Sequence, residues 1–517
     1  MPKDRSDVLF TLVKSLKKSE KRYFKVSVSD NGDKKFSRLF DIIDRQKKFN
    51  DAEILKKDTS LNPAQLSNLK AHLYTKILQN LRDYNASTLP NIKIRDMIDH
   101  AEILFNKSLY NQCAEVIKKA KKMAVKSDNL EMQLEILKWE KQMLAHSIGK
   151  DNVARTDKVI KDVQNVNNRI NNINSFSNLQ FRLQSMYKKI GFIRNENDFQ
   201  EISKVFTDNI PYFVKEELSV SEKISLYNLY IGYYFFIQDF EKGYDYALRL
   251  VKIFQAEKAL ILSRLETYIS SLNNLLIAQN KLMKYREFQG AMRELRGLNN
   301  LPSAYLNENI RLKLLKYTFV HEFNRLFMKG DFEQGVLLMN RINTGLEQFI
   351  VQIDPHSKMI MFYKTACLYF GNGNYQTAIN SLNKIINSQE GDLRKDIHGF
   401  ARILNLICHY ELGNMELIEY YVRSTYRFLL KGEELHQFQK YILNFLVRLK
   451  TNITEEELKR RFKSLLKNLI PLSQDPYEKR AFIYFDILSW LESKIEGRNI
   501  QEIIKEKANN RINSKAA

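Results

Sequence analysis

The chain has 517 residues, more than one compact hydrophobic core usually holds, so several domains or an elongated repeat are expected. Hydrophobic residues make up 44% of it, enough to bury a core, which excludes an intrinsically disordered chain. The formal net charge of +22 favours anionic partners such as nucleic acid, acidic proteins or anionic lipid, without choosing among them.

Segments that would direct the chain to a membrane are not evident in the sequence. No run of about 18 apolar residues occurs, and residues 1–20 mix charges without a sustained apolar stretch. We therefore expect no membrane span, no secretory signal and a cytoplasmic location. Cys113, Cys367 and Cys408 are widely spaced within apolar helical patterns, so we interpret them as buried thiols rather than ligands or disulfides.

Residues 1–90 are predicted to form a small basic helical module. Apolar side chains recur at helical spacing over Ser6–Leu16 and Phe36–Ile43, and again after the start signal Asn62-Pro63. A short helix over Asp51–Lys57 would make a four-helix module. Lys and Arg number 19 here against 11 Asp and Glu, a net charge of +8.

A basic run in this module suggests one functional alternative. The run is interleaved with Tyr23 and Phe24, and its cations are Lys17, Lys18, Lys21, Arg22 and Lys25. These side chains could contact the phosphates of DNA or RNA while Tyr23 stacks on a base. The simpler interpretation, which we favour, is a solvated basic face whose two aromatic side chains pack inward. A helix-turn-helix formed by Asp51–Lys57 and the next helix stays open as well.

The clearest internal repeat unit spans residues 362–385. Two amphipathic stretches flank a turn at Gly373, Asn374 and Tyr375, and Ala378 follows three positions after the aromatic residue. Small residues such as Ala366 and Ala378 let two helix backbones approach closely. Gly373 can adopt the left-handed conformation that ends the first helix.

This unit resembles the tetratricopeptide repeat. Large, small and aromatic residues at Phe362, Ala366 and Tyr369 match that family's helix A, and the inward positions of helix B match Ala378 and Leu382. The resemblance implies an all-α, right-handed α-solenoid, a stack of helical hairpins whose A helices line a concave groove.

The same pattern recurs along residues 91–432. Each hairpin is predicted to have its turn beside one residue, and these turn residues are Tyr110, Val153, Phe199, Phe240, Tyr285, Phe332, Tyr375 and Met415. Successive turn residues are 40 to 47 positions apart by subtraction, longer than a standard tetratricopeptide unit. We therefore predict about eight irregular hairpins with helices of roughly 16 to 20 residues. Pro211, Pro302 and Pro355 all fall between predicted hairpins, where a missing N–H is tolerated.

Residues 433–507 are predicted to be C-terminal capping helices that shield the last hairpin. One starts at the capping box beginning with Thr454, and another runs from about Pro476 to Glu496. Residues 508–517 are expected to be a frayed tail.

The leading functional hypothesis is a non-catalytic intracellular scaffold or adaptor that binds a peptide or protein segment in the groove. The candidate contacts are aromatic or polar residues of predicted A helices: Tyr230, Tyr234, Asn273, Asn274, Asn324, Lys364, Tyr369 and Asn405. Aromatic anchors carry much of the affinity in such grooves, and polar side chains can bond an extended backbone. The alternative is a nucleic-acid-associated regulator that uses the module of residues 1–90.

An enzyme is not predicted, because no catalytic motif is present. His321-Glu322 lacks the second histidine of a zinc-protease helix, and no phosphate loop or nucleophile elbow occurs. The eight histidines do not pair with Cys or His at ligand spacing. We therefore expect neither a metal nor a cofactor.

Overall fold

A computed structural model of the chain describes most of its residues. The described ranges are 5–30, 34–59, 61–86, 89–146, 152–214, 217–303, 305–340, 354–388, 394–431, 436–449, 453–479, 481–482 and 485–514. Within these ranges the protein is all-α and contains no β-strand, which confirms the predicted class. None of the helices described combines the length and apolarity that crossing a bilayer requires.

The chain divides into two compact units, Met1–Ile170 (unit 1) and Asn171–Ala517 (unit 2). The division lies within one long helix, whereas the sequence predicted a boundary near residue 90. Each unit has its own buried apolar clusters, so each is described separately.

The described residues of unit 1 form eight helices and the first part of a ninth. These are α1 Arg5–Ser15, α2 Lys18–Asp30, α3 Lys34–Arg45, α4 Asp51–Lys57, α5 Pro63–Ala86, α6 Pro90–Asn106, α7 Tyr110–Lys126, α8 Leu130–Ala145 and α9 Asn152–Ile190. The first five share one apolar core, which includes Phe24 and Phe40. The predicted four-helix module therefore has five helices, because the basic run forms α2, whose Phe24 is buried against Phe40.

Unit 2 continues from α9. Its further helices are α10 Glu196–Asn209, α11 Val220–Phe236, α12 Phe240–Ala256, α13 Lys258–Ser263, α14 Leu265–Lys281, α15 Tyr285–Gly297, α16 Glu308–Lys329, α17 over described residues 332–340, α18 Pro355–Gly371, α19 Tyr375–Ile386, α20 Lys395–Glu411, α21 Met415–Lys431, α22 Gln437–Arg448, α23 Glu455–Leu472, α24 Ile487–Glu496 and α25 Ile500–Ser514. In the series α14, α16, α18, α20 and α22 each helix packs against the following member, and the consecutive helices from α14 to α16 and from α18 to α22 also pack together. This packing is compatible with a helical repeat.

Six of the eight predicted turns share one backbone conformation. In each, the residue two positions before the next helix has a left-handed φ, and these residues are Ser108, Gln238, Met283, Gly330, Gly373 and Gly413. The following helix begins at the predicted turn residue in all six cases. The prediction for Gly373, whose φ is +78°, is confirmed, and three other turns reach the same conformation without glycine.

One backbone hydrogen bond closes each of these turns. The residue after the left-handed one donates its N–H to the carbonyl five positions earlier, as in Asn374 to Tyr369 at 2.8 Å and Asp331 to Leu326 at 3.0 Å. This bond satisfies a carbonyl that the end of a helix would leave without a partner. Because the closing bond is the same, the helix that follows leaves each turn in the same direction.

The prediction of separate helices between Val153 and Phe199 is wrong. The helix α9 runs without interruption through 39 residues, so the second helix of one predicted hairpin is also the first helix of the next. The next helix, α10, begins at Glu196, three residues before the predicted turn residue. No Gly or Pro interrupts Asn152–Ile190, so no residue there forces the helix to end.

The C-terminal region departs from its prediction in two places. The helix predicted over Pro476–Glu496 does not begin at Pro476, because residues 476–479 form turns, and its last part is α24. The last helix, α25, continues to Ser514 through most of the predicted frayed tail. Ala508, at the start of that tail, is buried.

The same region also reaches the turns of earlier hairpins. The Lys505 ammonium lies 3.1 Å from the Asp331 carboxylate, and Glu333 N donates to Gln501 Oε1 at 3.1 Å. A Cβ at Gly330 would lie 2.9 Å from the backbone nitrogen of Lys505, so glycine is also needed here to let α25 approach the turn. The C-terminal helices come after α21 and α22 in the chain. They nevertheless contact the turn at Gly330, near the middle of unit 2.

The turns give a stability prediction. Ser108 is exposed with φ of 60°, so Ser108→Gly removes the strain of a left-handed side chain without losing buried contacts. We expect it to raise the free energy of unfolding by about 0.5–1 kcal/mol in urea titrations.

The reverse substitution is Gly413→Ala, where φ is +73° and a Cβ would meet nothing within 4 Å. We expect it to lower stability by about 1 kcal/mol through backbone strain alone. Gly290→Ala is the matched control, because that helical glycine has equal space and no positive φ. Equal effects of Gly413→Ala and Gly290→Ala would contradict the strain account.

Candidate binding face of unit 2

The shared turn places equivalent residues on one face of successive helices. We call the helix before each turn an A helix and the helix after it a B helix. The A helices α14, α16, α18 and α20 pack in succession. Asn274, His321 and Lys364 each lie eleven residues before the first residue of the B helix that follows. They therefore occupy the same register on three consecutive A helices.

A polar chain crosses these three helices. His321 Nε2 lies 3.0 Å from Asn273 Oδ1, and His321 Nδ1 lies 3.1 Å from Asn324 Nδ2. The Lys364 ammonium donates to Asn324 Oδ1 at 2.6 Å. If the Asn324 amide donates to Nδ1, then His321 is neutral and donates from Nε2. Three residues predicted from sequence, Asn273, Asn324 and Lys364, are thus brought together, with Asn274 beside Asn273.

Burial keeps His321 neutral. The ring is fully buried, and this burial, with the nearby Lys364 ammonium, lowers the pKa of His321 to about 3. Both ring nitrogens are occupied by hydrogen bonds, so the imidazole is a fixed connector between α14 and α16.

Two other cations, Lys364 and Arg394, act on the ammonium of Lys281. Burial, together with the charges of Lys364 and Arg394, lowers the pKa of the Lys281 ammonium to about 7. Burial also lowers the pKa of Lys364 to about 8. Among the described residues, Lys281 has no hydrogen-bond or ion-pair partner and Lys364 has only Asn324. We call Lys281, Lys364 and Arg394 the cationic cluster.

The cationic cluster is enclosed by helices that are far apart in sequence. The Arg394 guanidinium, at the start of α20, lies 5.0 Å from the centroid of the Tyr187 ring on α9. A Cβ at Gly191, just after α9, would lie 2.6 Å from the Asp396 carboxylate. The end of α9 therefore approaches the start of α20.

The structure separates Tyr230 and Tyr234 from this face. The Tyr230 ring lies 4.4 Å from Tyr246 on the B helix α12 and 5.5 Å from Phe206 on α10. Tyr234 stacks on Tyr246 at 5.8 Å, beneath the Lys242 ammonium. These tyrosines of α11 thus form a half-buried aromatic group with side chains of α10 and α12, and none of these ring contacts involves the polar chain.

Tyr369 and Asn405 also lie outside the polar chain. Tyr369 has the register of Tyr234, six residues before its B helix, and is half-buried against the apolar core of its hairpin. Asn405 is buried, and its amide Nδ2 has no hydrogen-bond partner among the described atoms. Within the part of the chain that the structure describes, neither makes a hydrogen bond, ion pair or ring contact with the cationic cluster.

The predicted nucleic-acid residues of unit 1 fall into two groups. Lys21 pairs with Asp44 and Lys25 with Asp41, both at 2.6 Å. Lys17, Lys18 and Arg22 are exposed. Tyr23 is 39% exposed with its ring 5.3 Å from Tyr84, so it packs along the surface rather than into the core.

Sequence reasoning missed three residues of the face: His321, Lys281 and Arg394. The positions of two of them relative to a predicted turn could have revealed them. His321 lies as far before its turn as Lys364 does, and Lys281 lies on a predicted A helix, four residues before the turn residue Tyr285. Arg394 precedes its helix and comes close through the tertiary structure, so nothing in its local sequence pattern marks it.

Across the described ranges, no group of three or more His, Cys, Asp or Glu is placed to hold a metal ion. Comparison with protein-family models, with curated protein sequences and with solved structures gives no significant match.

The lowered pKa of Lys281 predicts a specific pH dependence of stability. Between about pH 7 and the usual lysine pKa near 10.4, the unfolded chain binds this proton and the folded chain does not. Stability therefore rises with pH in this window, and the full penalty is present below pH 7. We expect Lys281→Met to stabilise the protein at pH 7 by about 1–2 kcal/mol, and this gain to shrink towards pH 10.

Urea titrations at several pH values measure this difference. Lys252→Met, an exposed position on α12, is the control and should give a difference that does not vary with pH. A pH-independent difference for Lys281→Met as well would show that Lys281 is normally hydrated in the folded protein.

Proposed function

We propose that unit 2 is a tetratricopeptide-like α-solenoid that acts as a non-catalytic protein-interaction scaffold. It holds a peptide or protein segment against the inner face of its A helices. The observation that carries this proposal is the polar chain formed by Asn273, His321, Asn324 and Lys364, because its hydrogen bonds join polar side chains of three successive A helices.

The composition of this face favours binding. Burying an ammonium group without a counter-charge is unfavourable, and replacing it with an apolar side chain would stabilise the fold. Burial lowers the pKa of both Lys281 and Lys364, and neither ammonium has a carboxylate partner among the described residues. Buried charged side chains that lower the stability of the fold are typical of sites where those side chains contact a ligand.

The state of His321 favours a scaffold over an enzyme. A general base needs a free lone pair and a pKa near the working pH. His321 has a pKa near 3, and hydrogen bonds occupy both of its nitrogens. Cys367 on α18 carries a thiol, a common nucleophile, but burial raises its pKa to about 12.

A nucleic-acid role for unit 1 has less support. Two of the five candidate cations, Lys21 and Lys25, are neutralised by aspartates of α3. The remaining three are exposed on a short segment, where solvated cations are common.

The scaffold proposal is tested by capture of partners from nuclease-treated cytoplasmic extract of the source cells. Wild type should retain a defined set of proteins, and Lys364→Ala and Asn273→Ala should lose most of them because both alter the inner face. Tyr234→Ala should retain them, since Tyr234 stacks on Tyr246 of α12 rather than joining the polar chain.

Lys252→Ala, an exposed substitution on α12, controls for loss of positive charge. Urea titration of each variant must show a folded protein. Retention of the full set by both Lys364→Ala and Asn273→Ala would contradict the assignment of the face.

A further inference from the structure

A cavity lies where the C-terminal helix α25 reaches the turn between α14 and α15. Its volume is about 220 Å³, and its walls come from that turn, from the start of α15, from the end of α16 and from α25. Since benzene fills an apolar cavity of about 150 Å³, this one holds a ligand of about nine non-hydrogen atoms. None of its lining residues belongs to the polar chain, so the site is separate from the face to which the proposed function assigns the partner.

Contacts of α25 with the next turn hold this helix beside the cavity. Lys505 pairs with Asp331 at 3.1 Å, and Gln501 Oε1 accepts from the Glu333 backbone N–H at 3.1 Å. Ala508 follows Lys505 by three positions, so it lies on the same side of the helix, where it is buried and lines the cavity. The cavity is therefore a fixed feature of unit 2, closed on one side by α25.

Apolar side chains form one wall of the cavity. Met328 of α16 and Ala508 of α25 are both buried, and Met283 in the turn is half-buried. Methionine is flexible and polarisable, and its sulfur packs favourably at about 5 Å from an aromatic ring. The wall therefore favours a flat aromatic group over a sugar, whose hydroxyl groups would lose their hydrogen bonds to water against it.

The charged residues of the lining are mainly positive. They are Lys284, Arg286, Arg511 and Glu287, three cations against one carboxylate. A further cation stands close, because the Lys329 ammonium lies 5.5 Å from the centroid of the Tyr285 ring, and Tyr285 also lines the cavity. The positive excess favours an anionic ligand over a cationic one.

Arg286 has donors left for a ligand. Its side chain is exposed and has no hydrogen-bond or ion-pair partner among the described residues. By contrast, the Lys284 ammonium lies 4.4 Å from the Tyr244 ring centroid and 3.9 Å from a Glu241 carboxylate oxygen. A guanidinium presents parallel N–H donors that match the two oxygens of a carboxylate. Arg286 can therefore hold a carboxylate at the mouth of the cavity, and Lys284 adds positive charge.

We propose that the cavity binds a small aromatic carboxylate. The ring packs against Met283 and Met328, and the carboxylate pairs with Arg286 where the cavity opens to solvent. The apolar wall and the cations each supply part of the recognition, so a ligand with the ring alone or the charge alone binds more weakly. A benzoate-sized acid matches the volume, whereas a nucleotide is too large for it.

Fluorine NMR on the full-length protein tests this with para-fluorobenzoate as the probe. Wild type should broaden and shift its signal in a saturable way, and unlabelled benzoate should reverse the change. Para-fluorobenzyl alcohol keeps the ring without the charge, so it should bind about tenfold more weakly or worse. Acetate keeps the charge without the ring, so it should not displace para-fluorobenzoate.

Substitutions at the mouth and in the wall should change binding in different directions. Arg286→Gln should weaken binding by about tenfold, because it removes the paired charge. Glu287→Gln should strengthen binding, because it removes the one carboxylate of the lining. Ala508→Met should abolish binding, because its longer side chain fills the cavity from α25. Lys252→Gln, an exposed change on α12, should bind as wild type does.

Several results would overturn the proposal. These are the absence of a saturable signal change in wild type, equal binding of the acid and the alcohol, and displacement of the acid by acetate. Arg286 and Glu287 are exposed, so their variants should stay folded in urea titrations, and unaltered binding by Arg286→Gln would also contradict the assignment. Unaltered binding by folded Ala508→Met would place the ligand outside the cavity. If Ala508→Met does not fold, the opposite effects of Arg286→Gln and Glu287→Gln decide.

Discussion

The left-handed turn between A and B helices is the constraint on which the architecture depends. A single backbone hydrogen bond, from the residue after the left-handed position to a carbonyl five residues earlier, closes six turns in the same way. The bond sets the angle and phase at which the B helix leaves. Because the phase repeats, a residue at a given distance before the turn faces the same direction in each hairpin, as Asn274, His321 and Lys364 do.

That repetition has an energetic consequence on the inner face. Most registers of the A helices carry apolar side chains that bury well, but one register brings His321 and Lys364 together with little water. The hydrogen bonds through Asn324 and Asn273 offset part of the cost for these two side chains. Lys281 has no such partner among the described residues, so its ammonium is the least compensated charge of the face. An anionic ligand would offset this charge, so its binding would also raise the stability of unit 2.

Much of the fold could be predicted from sequence because the turns are local. Tyr110, Phe240, Tyr285, Phe332, Tyr375 and Met415 each begin a helix, as the spacing predicts. Ser108, Gln238 and Met283 could not be assigned as left-handed, because the closing hydrogen bond imposes a conformation that their side chains disfavour. The continuous helix α9 was missed because a repeat pattern expects a break where no residue enforces one.

The candidate site was predicted less completely for a different reason. Asn273, Asn324 and Lys364 were found because helix A was identified, but choosing the inward face needs the helical phase relative to the turn. Tyr230 and Tyr234 have a different phase and pack towards B helices. Arg394 and Tyr187 meet through contacts between distant parts of unit 2, which no local pattern encodes.

The central claim is that the ammonium groups of Lys281 and Lys364 have no carboxylate partner among the described residues of unit 2. A crystal of the protein soaked in sodium bromide tests this most directly, because anomalous scattering locates bromide ions without a model of the ligand. The account predicts a bromide peak within contact distance of at least one of these ammonium groups, lost in crystals of the corresponding Lys→Gln variant. A carboxylate of the protein itself in that position, with no bromide bound, would contradict it.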